Sequence, residues 1–285
     1  MLFGLVAALG WGLADFFGAV VGRKLGSLAT VLIAQMCSAA LVTVVLLGGD
    51  HDLGGLTPYL GWVALNGVVS AIAYASHYRA LELGPVAVVS PIGATYALVG
   101  VALSMIVLGE RPAALALIGG AITVAGVMLT STDLRKLRAG THGTPPGLPW
   151  ALVAAVTFGV GGFLLAYLAK ELGWVTALWS SRVAQLAGFA ILGVLRRGDM
   201  AGRGLSGKPW VIAGAIGIGL IDLVAVASYS IGNETEFASI LFVSSAVFPL
   251  IAVVLSVAFL QERPVPNQYV GVALVVAGLV ALGMA

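Results

Sequence analysis

Apolar residues run through this chain in long stretches separated by short clusters of charge, glycine and proline. Reading between those clusters gives ten segments, at 3–21, 28–47, 59–80, 86–107, 112–131, 149–169, 174–195, 209–231, 237–260 and 267–284. A helix of about 20 apolar residues crosses the hydrocarbon core of a bilayer, so each segment predicts a transmembrane helix. The expected fold class is an all-α integral membrane protein with ten transmembrane helices.

The pattern is written twice. Leu108-Gly109-Glu110-Arg111-Pro112 returns as Leu260-Gln261-Glu262-Arg263-Pro264, and residues 101–128 placed over 253–280 without a gap give 12 identities in 28 positions. The starts of the halves align as well, Trp11-Gly12 over Phe158-Gly159 and Leu25-Gly26 over Leu172-Gly173. A self-similar chain is built from repeated units. Five helices per unit is an odd number, so the second unit enters the membrane from the opposite side: two inverted five-helix repeats, the arrangement typical of secondary transporters. The repeats occupy 1–131 and 149–285, joined by a loop at 132–148.

Composition agrees. Hydrophobic residues make up 60% and charged residues 9%, with a mean hydropathy of +1.08; soluble domains carry roughly 45–50% and about 25%. The place implied is the cell membrane, crossed many times, with the lipid bilayer as a constant partner. The connectors at 132–148 and 196–208 are too short to fold as domains. No basic stretch precedes the first apolar run, so that segment is expected to remain as a helix. Cys37 is the single cysteine, which excludes an internal disulfide, and His51, His77 and His142 form no metal motif. Gly202 to Lys208 fits Gly-x-x-x-x-Gly-Lys, but Pro209 stands where the magnesium-binding Ser or Thr belongs. No cofactor, metal or nucleic acid is therefore expected, and the net charge of +2 identifies no partner.

Ala80-Leu81-Glu82-Leu83-Gly84-Pro85, Ser90-Pro91-Ile92, the Leu108–Pro112 motif and Gly119 to Gly126 together resemble the EamA repeat of the drug/metabolite transporter superfamily. The second half is similar, with Phe248-Pro249 thirteen residues ahead of Glu262. The resemblance implies ten helices, a central substrate cavity and transport of small organic solutes. It also implies cytoplasmic termini, whereas the Lys and Arg count, with Arg23, Lys24, Arg135, Lys136, Arg138, Arg196, Arg197, Arg203 and Lys208 all in loops after odd-numbered helices, places those loops inside and the termini outside. Pro91 lies six residues before the position in register with Pro249, which is Ala97, so the halves are expected to bend differently.

A charge at the bilayer centre costs at least about 2.5–3.5 kcal/mol, which marks Asp15, Arg182 and Asp222 as functional candidates. At about 1.5 Å per residue, Arg182 and Asp222 fall at one depth on neighbouring antiparallel helices and are expected to pair. Asp15 falls on the other side of the midplane, roughly 7 Å away, and is expected to stand unpaired. A lone buried carboxylate can exchange a coupling proton or hold a cationic group; hydrogen bonding to hydroxyls is the plain alternative. Arg182 suits a carboxylate or phosphate, or serves only to neutralise Asp222. Gln35 and Ser70 stand at the Arg182 and Asp222 positions of the first repeat.

Pro91 and Pro249, with Ser90, Ser244 and Ser245 beside them, suggest a polar wall where helices are broken, or simple packing kinks. Trp11, Tyr74, Tyr96, Phe158, Trp179 and Tyr229 are placed to line a site for an amphipathic solute, while Trp62, Trp150, Trp174 and Trp210 read as interfacial anchors. His77 and Arg79 are expected to snorkel to the surface. Glu110 and Glu262 are expected to favour the N-termini of the helices that follow them. The Gly119/Gly126 and Gly271/Gly278 pairs, with Ala121/Ala125 and Ala273/Ala277, make small stripes suited to close packing in the bundle or to a homodimer.

The function expected is a secondary transporter, exporter or exchanger, of amino acids or related amphipathic metabolites, working by alternating access. A passive channel and, more remotely, a membrane-embedded enzyme using Asp15 and Asp222 are the alternatives. The site residues named for substrate or coupling are Asp15, Arg182, Asp222, Trp11, Tyr74, Tyr96, Trp179, Ser90 and Ser245.

Overall fold

The computed structural model describes residues 2–51, 53–108, 114–131, 146–195, 209–235 and 238–283. Among these the backbone is helical, without strands. The helices are α1 (Leu2–Leu25), α2 (Ser27–Leu47), α3 (Leu60–Leu83), α4 (Val86–Gly93), α5 (Tyr96–Leu108), α6 (Ala114–Ser131), α7 (Leu148–Leu172), α8 (Trp174–Leu195), α9 (Pro209–Thr235), α10 (Ala238–Ser245), α11 (Pro249–Phe259) and α12 (Pro266–Gly283). A 3-10 turn, Gly54–Tyr59, leads into α3. Six segments are long and apolar enough to cross a membrane, and the apolar helices within α6, α11 and α12 are shorter. Most of the 132–148 and 196–208 connectors, and Glu110 with its neighbours, lie outside the described residues.

The duplication is visible in the turns. α1 and α7 both end on a glycine with positive φ, Gly26 at 92° and Gly173 at 76°, a conformation that a side chain disfavours. The next helix begins one residue later in both halves. The halves interleave: α1 packs on α9, α3 on α7 and α8, and α6 on α12.

The bends differ from expectation. Segments 86–107 and 237–260 are each two helices, and they break at matching places, Ala94–Thr95 and Ala246–Phe248. Proline position alone does not set both breaks: Pro249, which lacks the N–H that Ser245 O would accept, opens α11 just after its break, whereas Pro91 sits inside α4. Both breaks are tightened by i→i−3 bonds, Thr95 N to Ile92 O at 3.1 Å and Phe248 N to Ser245 O at 3.3 Å. Hydroxyls reinforce them: Thr95 Oγ1 donates to Ile92 O at 2.7 Å and Ser245 Oγ to Leu241 O at 2.5 Å. Such back-bonding competes with the regular helical ladder.

The glycine stripes of α6 and α12 face each other within the bundle. A Cβ on Gly126 would lie 2.6 Å from Val275 N, and one on Gly278 2.6 Å from Gly119 O. Small residues allow this backbone approach. Ala121, Ala125, Ala273 and Ala277 are instead exposed on the outer surface.

Candidate functional site

Helix α3 carries Asn66, Ser70, Tyr74 and His77 at intervals of three and four, which puts them on one face. That face lines a cavity of about 120 Å³ at midspan, between the halves. Cavities of this scale hold a single aromatic ring. α1 contributes Trp11 and Asp15, α7 Phe158 and Gly162, α8 Ser181, Arg182 and Gln185, and α9 Asp222 and Tyr229. Gly93, Tyr96 and Phe248 enter from the two helix breaks.

One polar group of the wall is built on an ion pair. Arg182 and Asp222 are 3% and 2% exposed, and Arg182 Nη2 donates to Asp222 Oδ2 at 2.7 Å, the pairing that equal depth predicts. Tyr74 OH donates to Asp222 Oδ1 at 2.9 Å, and Gln35 Nε2 to Oδ2 at 3.3 Å. Arg182 Nη1 in turn donates to Gln185 Oε1 at 3.0 Å and to Gln35 Oε1. The guanidinium lies 5.2 Å from the Tyr74 ring centroid, within cation–π range. A charge pair buried this deeply is tolerated only with such added hydrogen bonds. Two donors on this wall, Arg182 Nε and Gln185 Nε2, have no partner among the described residues.

The second group corrects two expectations. Asp15 is not unpaired: its Oδ1 lies 2.7 Å from His77 Nε2, and Ser90 Oγ donates to its Oδ2. His77 does not snorkel; it is 6% exposed, because α3 runs on to Leu83 and leaves it well inside the helix. Only Arg79 reaches the surface, pairing with Glu82 at 2.9 Å. Asp15 and Asp222 thus stand in separate groups, bridged by Phe158, whose ring centroid is 5.0 Å from Tyr74 and 5.5 Å from His77.

Of the remaining residues named from sequence, Trp11 and Tyr96 line the cavity edge to face, centroids 6.1 Å apart. Ser90 and Ser245 stand behind the wall and hold lining residues, Ser90 through Asp15 and Ser245 through Tyr96 OH at 2.5 Å. Trp179 is away from the cavity: its Nε1 donates to Thr43 Oγ1 at 3.1 Å and its ring packs with Val42, Leu178 and Val226. Sequence reasoning did not assign His77, Gln185, Asn66 or Ser181 to the site. The three-and-four spacing of polar residues along α3 was the available signal.

Glu262 also departs from expectation. Rather than serving the helix after it, its carboxylate caps α4 of the other half, accepting from Val86 N at 3.1 Å and Ala87 N at 3.0 Å.

Residues 1–132 and 145–284 each match the model of the EamA-like transporter family. No curated protein matches the chain. A solved structure, titled only as the crystal structure of a protein, superposes with a TM-score of 0.67 at 24% identity, over 98% of this chain and 94% of the other. At that identity the likeness shows the fold alone.

Proposed function

The chain belongs to the EamA-like transporter family, and from that premise we propose that it is a secondary transporter of small amphipathic organic solutes, crossing the cell membrane ten times and exposing its midspan cavity to the two sides in turn. The observation that supports the reading is the cavity itself, lined by helices of both halves beside both broken helices. Transporter sites sit at the midplane next to discontinuous helices for a physical reason: irregular backbone is tolerated at that depth only against protein or a polar cavity.

The wall's chemistry supports a finer reading. The Arg182–Asp222 pair compensates itself, so the cavity offers no surplus positive charge to a free anion. Arg182 and Gln185 line the cavity, and each keeps a buried, unpartnered donor, Nε and Nε2, which a carboxylate or carbonyl oxygen of an internally balanced solute would reach once the wall adjusts around it. Trp11, Phe158 and Tyr96 supply an apolar wall for its ring or chain. Amino acids and related zwitterions meet these demands, exported or exchanged. Asp15 with His77 is the group for a coupling proton, because the two are hydrogen-bonded to each other and both line the cavity. The protein works as a monomer or homodimer.

The test is thermal stabilisation of the purified protein by a panel of amino acids and related metabolites. A ligand at 100 times its Kd adds about 2.7 kcal/mol. Stabilisation by a zwitterion that is lost in Arg182→Gln supports the reading; stabilisation kept in both Arg182→Gln and Asp15→Asn moves the site elsewhere.

A further inference from the structure

One end of the bundle gathers the end of α1, the starts of α2 and α4, and the turn before α12, and there a single carboxylate joins the two halves. Arg23 Nη2 donates to Gly84 O at 3.0 Å and to Glu262 Oε1 at 3.1 Å, while Glu262 accepts from Val86 N and Ala87 N. Arg23, Gly84, Val86 and Ala87 belong to the first repeat and Glu262 to the second. Gln261, before Glu262, has a φ of 54°. A side chain rarely adopts that conformation, which here turns the chain so that the carboxylate reaches across.

We propose that Glu262 is a positioning residue of the transport cycle: bound to Arg23 and the first turn of α4 it holds this end of the cavity closed, and its release opens that end. The inference rests on the transport reading above.

Three observations carry it. Toward the Arg23 end the cavity wall stops at Asp15, His77 and Tyr78, and beyond them Ala19, Leu81, Val86, Val89, Ile92 and Ala252 pack as an apolar plug. Toward the other end the wall continues to Leu165 and Leu178, the latter one turn from the start of α8. Other acidic caps stay within a half and occur at both ends. Glu82 accepts from Ser27 N at 3.2 Å, and its repeat equivalent Glu234 accepts from Trp174 N. Those caps can move with their own half as a rigid body, whereas the Glu262 contacts must break if the halves part at this end. In sequence, Lys170 and Glu110 stand at the repeat positions of Arg23 and Glu262.

The test is cysteine accessibility in the full-length protein in proteoliposomes. In a Cys37→Ser background, Ala19→Cys places a thiol in the plug, and its labelling by a water-soluble maleimide is timed. Adding Glu262→Ala is expected to speed labelling about tenfold or more, and Glu262→Gln, which keeps an acceptor but loses the charge, by less. Arg79→Gln, whose ion pair lies within α3, is expected to leave the rate unchanged. If Glu262→Ala does not fold, Glu262→Gln and Arg23→Gln carry the test. Equal labelling in these variants and the parent would overturn the proposal. Labelling tests the closure and solute flux in the parent tests the transport reading, so either can fail without the other.

Discussion

Gln35 and Arg182 occupy equivalent positions in the two repeats, 147 residues apart, and are hydrogen-bonded to each other through Gln35 Oε1. The register is that of Trp11 and Phe158, which both line the cavity. One copy has a neutral amide and the other a cation, and with Asp222 they form a network that neither half completes alone.

That network makes charge removal costly. Arg182→Gln leaves Asp222 buried without its counter-ion, and Asp222→Asn does the same to Arg182; each is expected to lower stability by about 3–5 kcal/mol. The double variant is expected to be more stable than the sum of the single losses implies. Thermal unfolding in detergent measures this, and additive losses would mean that the pair is not energetically coupled.

Much of this was legible in advance because it depends on counting along helices. The all-helical, apolar character follows from hydropathy, the two repeats from the recurring Glu-Arg-Pro motif, and the Arg182–Asp222 contact from equal depth on neighbouring helices. His77 was missed because depth was counted from a helix end at residue 80, three residues short of where α3 stops. The Glu262 cap joins groups 175 and 176 residues apart, and no local pattern reports such a contact. The break in the first half was misjudged because Pro91 was taken to set it, whereas it falls at Ala94–Thr95 inside a turn that Thr95 Oγ1 tightens.

Asp15 and His77 are expected to govern any proton dependence of transport. Asp15→Asn removes the group that receives His77 Nε2 and Ser90 Oγ, and His77→Gln removes the imidazole. Each is expected to flatten the pH profile of solute flux. A profile unchanged in both variants would end the proton role.

The glycine contact between α6 and α12 is expected to be intolerant of size. Gly126→Ala and Gly278→Ala force a methyl group to within 2.6 Å of backbone atoms, an overpacking expected to cost about 1–3 kcal/mol. Ala121→Leu and Ala273→Leu, on the exposed faces, are the controls expected to be near neutral. Comparable losses at all four positions would mean that the alanines also pack against protein.

Tyr96→Phe deletes the hydroxyl that joins one helix break to Ser245 at the other. The expected stability loss is about 0.5–1.5 kcal/mol, with flux reduced more than solute affinity. A change in affinity alone would make Tyr96 a binding group and not a link between the moving elements.

The most direct measurement is counterflow in proteoliposomes, using the amino acid or related metabolite that stabilises the purified protein. Alternating access around the midspan cavity predicts that unlabelled solute inside drives transient uptake of labelled solute above its equilibrium level, and that Arg182→Gln abolishes this. Equilibration without an overshoot would indicate a passive channel, and a full overshoot in a folded Arg182→Gln variant would contradict the assignment of the cavity as the transport site.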